Sequence, residues 1–148
     1  KAEMFLRHLL STQPDNPDYH VLLAYVYANR SQHAEAYAHI DTALSLNPLL
    51  ADAHYLQAML FIEEHQQHEA ERALKATLYC QRNHPLASFV LGNIYAQDGQ
   101  FIKAQKHWIN ARNAVTSLQP ESPISDISDM TAGRLKMLVN EQLAGWQG

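Results

Sequence analysis

LGNIYAQDGQFIKAQKHWINA, residues 91–111, decides how the chain is to be read. Gly92, Tyr95 and Ala96, then Ala104, Trp108 and Ala111, recur at the three- and four-residue steps that place side chains on one helix face. Gly99 interrupts them, where a turn between two helices needs a positive φ. Moved upstream by a 34-residue step, the same frame is met twice more: Leu23, Gln57, Leu91; Ala24, Ala58, Gly92; Tyr27, Phe61, Tyr95; Ala36, Ala70, Ala104; Ile40, Leu74, Trp108; Ala43, Thr77, Ala111. Small falls on small and large on large. Two antiparallel helices approach closely only where small residues face each other, with large ones filling the space beside them, so each period is a helix hairpin.

The spacing predicts helices near 18–30 and 33–46, 52–64 and 67–80, and 86–98 and 101–115, in repeats over 17–50, 51–84 and 85–116. Pro48 closes the second of these helices. One period upstream of repeat 1, Ala2, Leu6, Leu9 and Pro14 take second-helix positions, so residues 1–14 are expected to be half of a truncated repeat and the chain a piece excised from a longer protein. Downstream the register fails: 117–128, rich in Pro, Ser and Asp, reads as a loop. From about Asp129 the chain is helical again, residues 129–148 forming a helix and tail, with Asp129 or Thr131 as N-cap and Leu135, Leu138 and Val139 on one side. A stack of hairpins leaves its last apolar face open, so this amphipathic segment, ISDMTAGRLKML at 127–138, is expected to cap it. Trp146, near the end, is either docked or a partner contact.

Composition narrows the function classes. The chain is 47% hydrophobic and 18% charged with a net charge of −4, the profile of an ordered globular protein. No cluster of Lys and Arg supplies the footprint that phosphate backbones select, which argues against nucleic acid. No apolar run is long enough for a membrane span. Cys80, the single cysteine, allows no internal disulfide and suits a reducing compartment, so a cytoplasmic location is expected.

The repeat resembles the tetratricopeptide repeat, whose signature passes from Leu-Gly-x-x-Tyr to Ala, an aromatic, Ala and Pro. Residues 91–111 match it closely and repeat 1 matches well, while repeat 2 departs at Gln57, Thr77 and Arg82. The implied fold is an all-α, right-handed superhelix, an α-solenoid of three hairpins with half a repeat in front and a capping helix behind. The order of parts, ending in SDMTAGRLKMLV, is further similar to the carboxy-terminal repeat domain of CheR-type chemoreceptor methyltransferases, on the strength of Thr131 to Leu135. That resemblance implies a parent enzyme using S-adenosylmethionine to methylate receptor glutamates. No strand with a Gly-rich turn is present here, so neither catalytic nor cofactor-binding residues are expected in this chain. A scaffold of pilus or secretion assembly would carry the same repeats.

In tetratricopeptide arrays the first helix of each repeat lines a hollow face. The corresponding residues are Val21 and Tyr25; Tyr55, Met59 and Ile62; and Phe89, Asn93 and Gln97. An aromatic and Met-rich face suits a helical or extended segment of another protein, a chemoreceptor or the parent's own methyltransferase domain. The clamp of Lys and Asn by which some family members hold a terminal carboxylate is missing, since its positions are Val21, Tyr25, Met59, Leu86 and Val90. The competing reading buries the hollow under 117–128 or the final helix. Glu64, His65, His68 and Glu69 invite a metal, but they straddle a turn and no distant ligand completes a shell, so a solvated turn is expected. Cys80 with His84 reads as a packed thiol near a helix end rather than a nucleophile and base.

Overall fold

The structure is a computed structural model that describes residues 2–145; Lys1 and residues 146–148, with the expectation attached to Trp146, lie outside the described residues. These contain eight helices: α1 (Ala2–Thr12), α2 (Pro17–Asn29), α3 (His33–Leu46), α4 (Ala51–Glu63), α5 (Gln67–Cys80), α6 (Pro85–Gln97), α7 (Phe101–Ala114) and α8 (Ala132–Ala144). The all-α hairpin fold expected from the period is the fold observed. Helices α2 and α3, α4 and α5, and α6 and α7 pair as hairpins, and α1 packs on α2 as the second helix of a preceding repeat would.

The repeat step is written into the backbone as well as the side chains. Each first helix ends when the N–H of Gln32, Gln66 or Gln100 donates to the carbonyl of Tyr27, Phe61 or Tyr95, at 2.9, 2.8 and 2.9 Å. This closure requires one residue in the left-handed region between helix and glutamine. It is Ser31 (φ 59°), His65 (φ 59°) and Gly99 (φ 79°). Only the third announces itself in the sequence; serine and histidine adopt the same conformation because the closing bond holds them there. The first helices of repeats 1 and 3 also start alike. Asn16 Oδ1 accepts the Asp18 N–H at 3.0 Å, His84 Nδ1 accepts the Ala87 N–H at 3.1 Å, and Pro17 and Pro85 fill the first turn, where no donor is needed. In repeat 2 the cap position is Leu50, which has no side-chain acceptor to offer.

The chain forms two compact units, Lys1–Cys80 and Gln81–Gly148. In the first, Leu23, Ala24, Ile40, Ala58, Leu60 and Leu74 are fully or almost fully buried among α2–α5. In the second, Leu91, Trp108, Val115, Leu135 and Val139 form the equivalent core. The volume exchange between repeats is legible here. Ala24 accompanies Ile40 and Ala58 accompanies Leu74, but the larger Trp108 accompanies Gly92, where a Cβ would lie 2.5 Å from the indole.

The tail corrects two expectations. Helix α8 begins at Ala132, not near Asp129, because Thr131 is the cap, its Oγ1 accepting the Arg134 N–H at 3.3 Å. The buried stripe is Ala132, Leu135 and Val139; Leu138 is only half-buried. The segment before it is tied rather than loose. The N–H groups of Gly133 and Ala132 donate to the carbonyls of Pro120 and Ser122 at 2.8 and 2.9 Å. Ile127 is buried. A side chain at Gly133 would meet the Pro120 carbonyl at 2.9 Å, so a glycine is needed for that approach. Helix α8 packs on α7, as expected of a cap, with Arg112 donating to Asn140 Oδ1 at 2.8 Å.

Candidate functional site

The first helices carry the eight expected contact residues, and packing sorts them. In the unit Lys1–Cys80, where α4 packs on α2, Val21 and Tyr55 are only 4% and 6% exposed. They are packing residues here and offer no free surface, which corrects the expectation that both line an open face. Burial pushes the Tyr55 hydroxyl well above the usual tyrosine range, with the neighbouring Asp52 and Tyr25 adding to the effect. Tyr25 and Met59 are half-buried, and Ile62 is 37% exposed. In the unit Gln81–Gly148, Phe89 is half-buried and Gln97 exposed. Asn93 faces a different duty, since its Oδ1 accepts the Trp108 indole N–H at 3.0 Å. Tyr25, Met59, Ile62, Phe89 and Gln97 thus remain accessible, in two groups that belong to separate units.

The positions weighed as chemistry have structural duties. His65 is the left-handed turn residue and is exposed, as is His68 in the first turn of α5. Among the described residues no three side chains of metal-ligating type converge. His84 is spent as the cap of α6.

A polar cluster that the periodicity gave no reason to seek ties the half repeat to repeat 1. Glu3 on α1 accepts from the Tyr27 hydroxyl at 2.7 Å, from Arg7 Nε at 2.9 Å and from Arg30 at 2.5 Å. Arg7 also reaches the Tyr27 hydroxyl. One repeat later the same pair of positions is joined again: Tyr37, one period after Glu3, donates to Glu64, one period after Arg30, at 3.1 Å. There His33 bridges Glu63 and Glu64 at 2.8 and 3.0 Å. Acid and donor have exchanged places, which is why residue matching at a fixed step missed the contact while the geometry keeps it.

These bonds predispose the first unit to acid sensitivity. The Tyr27 hydroxyl, then Arg7 and Arg30, hold the Glu3 carboxyl at about 2 against an ordinary 4.5. A carboxyl depressed in the folded state stabilises it fully above its unfolded value and ceases to do so as pH falls through the folded one. His39 acts in the same sense from a higher pH: burial first, then His20 and Arg7, lower its affinity for a proton. The melting temperature of wild type is therefore expected to fall between pH 4.5 and about 2 more steeply than that of Glu3→Gln, followed by circular dichroism. Parallel curves would mean that the cluster is not maintained in solution.

No described helix is long and apolar enough to cross a membrane. The family model described as "Anaphase-promoting complex, cyclosome, subunit 3" matches residues 1–77. None of the curated proteins matches the chain. Among solved structures, TTC0263, a thermophilic TPR protein of Thermus thermophilus, is 16% identical over 96% of this chain and 71% of its own, with a TM-score of 0.71. A structure of MamA is 17% identical over 95% of this chain and 88% of its own, at 0.60. MamA MSR-1 is 18% identical over 76% of this chain at 0.57, and this chain spans only 64% of its length. At such identities the likeness is one of fold.

Proposed function

The chain belongs to the repeat family of anaphase-promoting complex, cyclosome, subunit 3, and from that premise we propose that it is a protein-interaction module which holds a helical or extended segment of another protein. The observation that carries this reading is the accessible apolar group of the first unit. Tyr25 and Met59 are half-buried and Ile62 is 37% exposed, all on the first helices of their repeats. An aromatic ring, a thioether and a branched aliphatic chain give contact area with few geometric demands, and Phe89 adds a similar anchor in the other unit.

The finer reading is that the module serves a CheR-type chemoreceptor methyltransferase and positions its catalytic domain or its receptor. This rests on Thr131 to Leu135 alone, and four of those five residues also have a structural duty. Thr131 caps α8, Gly133 admits Pro120, and Ala132 and Leu135 are fully buried. S-adenosylmethionine would belong to the parent's catalytic part. The cytoplasm is the location that goes with this reading.

Calorimetric titration with a CheR-type catalytic domain and with a chemoreceptor cytoplasmic fragment tests both levels. Met59→Glu with Ile62→Glu is expected to weaken whichever interaction occurs by about tenfold or more, on the order of a hot-spot loss, while the circular dichroism spectrum is unchanged. Equal binding by wild type and variant would exclude the first-helix face. Absence of binding to either protein would exclude the chemosensory assignment.

A further inference from the structure

The three repeats differ at one internal seat. In repeat 1 the Tyr27 ring stacks on His39, centroids 5.6 Å apart and planes 16° from parallel. In repeat 3 the same positions are Tyr95 and His107, stacked at 5.4 Å and 23°. In repeat 2 the aromatic is kept as Phe61, but the position of the histidine is Ala73. What remains is a groove of about 370 Å³ on the unit Lys1–Cys80, lined by Phe61, Ala73 and Ala76 together with the polar side chains of His54, Gln57, Glu69 and Arg72.

The second wall of the seat is shared by repeats 1 and 2, whereas repeat 3 has Ser88 in its place. His20 Nε2 meets the Pro14 carbonyl at 3.0 Å, and His20 Nδ1 meets His39 Nδ1 at 3.0 Å. A carbonyl can only accept, so a neutral His20 carries its proton on Nε2 and accepts at Nδ1, and His39 is the donor. His54, one period on, repeats the first bond, Nε2 to the Pro48 carbonyl at 3.0 Å. In that tautomer its Nδ1 is an acceptor, and the histidine that would have donated to it is the one repeat 2 lacks.

We propose that the repeat-2 groove is a binding seat for a histidine side chain presented by a partner polypeptide, its imidazole stacked on Phe61 above Ala73 and its ring N–H donated to His54 Nδ1. The occupant is inferred from the chain itself, which fills the same seat with an imidazole in both other repeats. Glu69 and Arg72, an ion pair at 3.8 Å in which the arginine is largely and the glutamate about half exposed, can re-pair with charges flanking that histidine. This seat lies on a different face of α4 from Met59 and Ile62, so it stands independently of the first-helix surface.

The test is a titration of the isotopically labelled 148-residue chain, at a pH where the guest is neutral, with imidazole, N-methylimidazole and blocked Gly-His-Gly, followed by NMR. Imidazole and the peptide are expected to shift the Phe61 ring and the Ala73 and Ala76 methyls saturably. N-methylimidazole, which lacks the donor, should bind about tenfold more weakly, the worth of one neutral hydrogen bond. Ala73→His should fill the seat from within, raise the melting temperature and abolish these shifts. If Ala73→His fails to fold, Phe61→Leu, which removes the stacking face at similar volume, should lose the affinity instead. Shifts that never saturate, equal affinity for N-methylimidazole, an unaltered response in the folded variant, or binding of imidazole without the peptide would each overturn the proposal.

Discussion

Gly92→Ala is expected to lower the melting temperature by on the order of 10 °C, and Gly92→Leu to abolish the packing of α6 on α7. The added Cβ alone would lie 2.5 and 2.6 Å from Cδ1 and Nε1 of Trp108 and 3.1 Å from Cγ. Trp108 cannot swing away, because it is 0% exposed and its indole N–H is held by Asn93 at 3.0 Å. Overpacking of this kind costs about 1–3 kcal/mol. Displacing the indole from Asn93 adds about 1 kcal/mol. The other repeats show how the clash is to be relieved. They combine alanine with Ile40 or Leu74, so Gly92→Ala with Trp108→Leu should be more stable than the two single effects would add up to. Trp108→Leu by itself leaves a cavity, and in the double variant the new methyl group takes up part of that space. Simple additivity in a thermal or urea double-mutant cycle would show that the two positions do not face each other and would sink the assigned register.

The same pair explains why so much of the fold was legible. The repeat step is enforced at three levels at once: the small and large partners across each hairpin, the Gln32, Gln66 and Gln100 closures, and the capped starts at Asn16 and His84. Any one would be weak, but together they admit a single register. The surface was less legible because exposure is not a property of the first helix alone. Val21 and Tyr55 have the spacing of face residues and are buried once α4 packs on α2. Asn93 has the spacing too, and is spent on an indole of the following helix. The vacant seat beside Phe61 needed the structure as well, since an alanine at 73 among two histidines at 39 and 107 reads as an ordinary departure until the stacking of those histidines is seen.

Leu135→Ala is expected to cost about 2–5 kcal/mol and to release the tail. Leu135 is 0% exposed, as are Ala132 and Val139 on the same stripe, and these three are the buried apolar side chains of α8 in the unit Gln81–Gly148. The helix has 13 residues, which is marginal for an isolated helix in water, so it depends on packing rather than on propensity. Its start is fixed from outside: the Ser122 and Pro120 carbonyls hold the Ala132 and Gly133 N–H groups, and Thr131 supplies the remaining cap. Those bonds explain why the choice between Asp129 and Thr131 could not be made from cap chemistry, since both residue types serve, and was made by the turn that precedes them. Losing Leu135 should therefore unfasten the segment from Pro120 onward as one piece. In hydrogen exchange, the amides of Ala132, Gly133 and Leu135 should lose protection together in the variant while those of α6 keep theirs. Retained protection at Ala132 and Gly133 would mean that the turn folds independently of the helix it precedes, and that the cap is set by local bonds rather than by the burial of its apolar stripe.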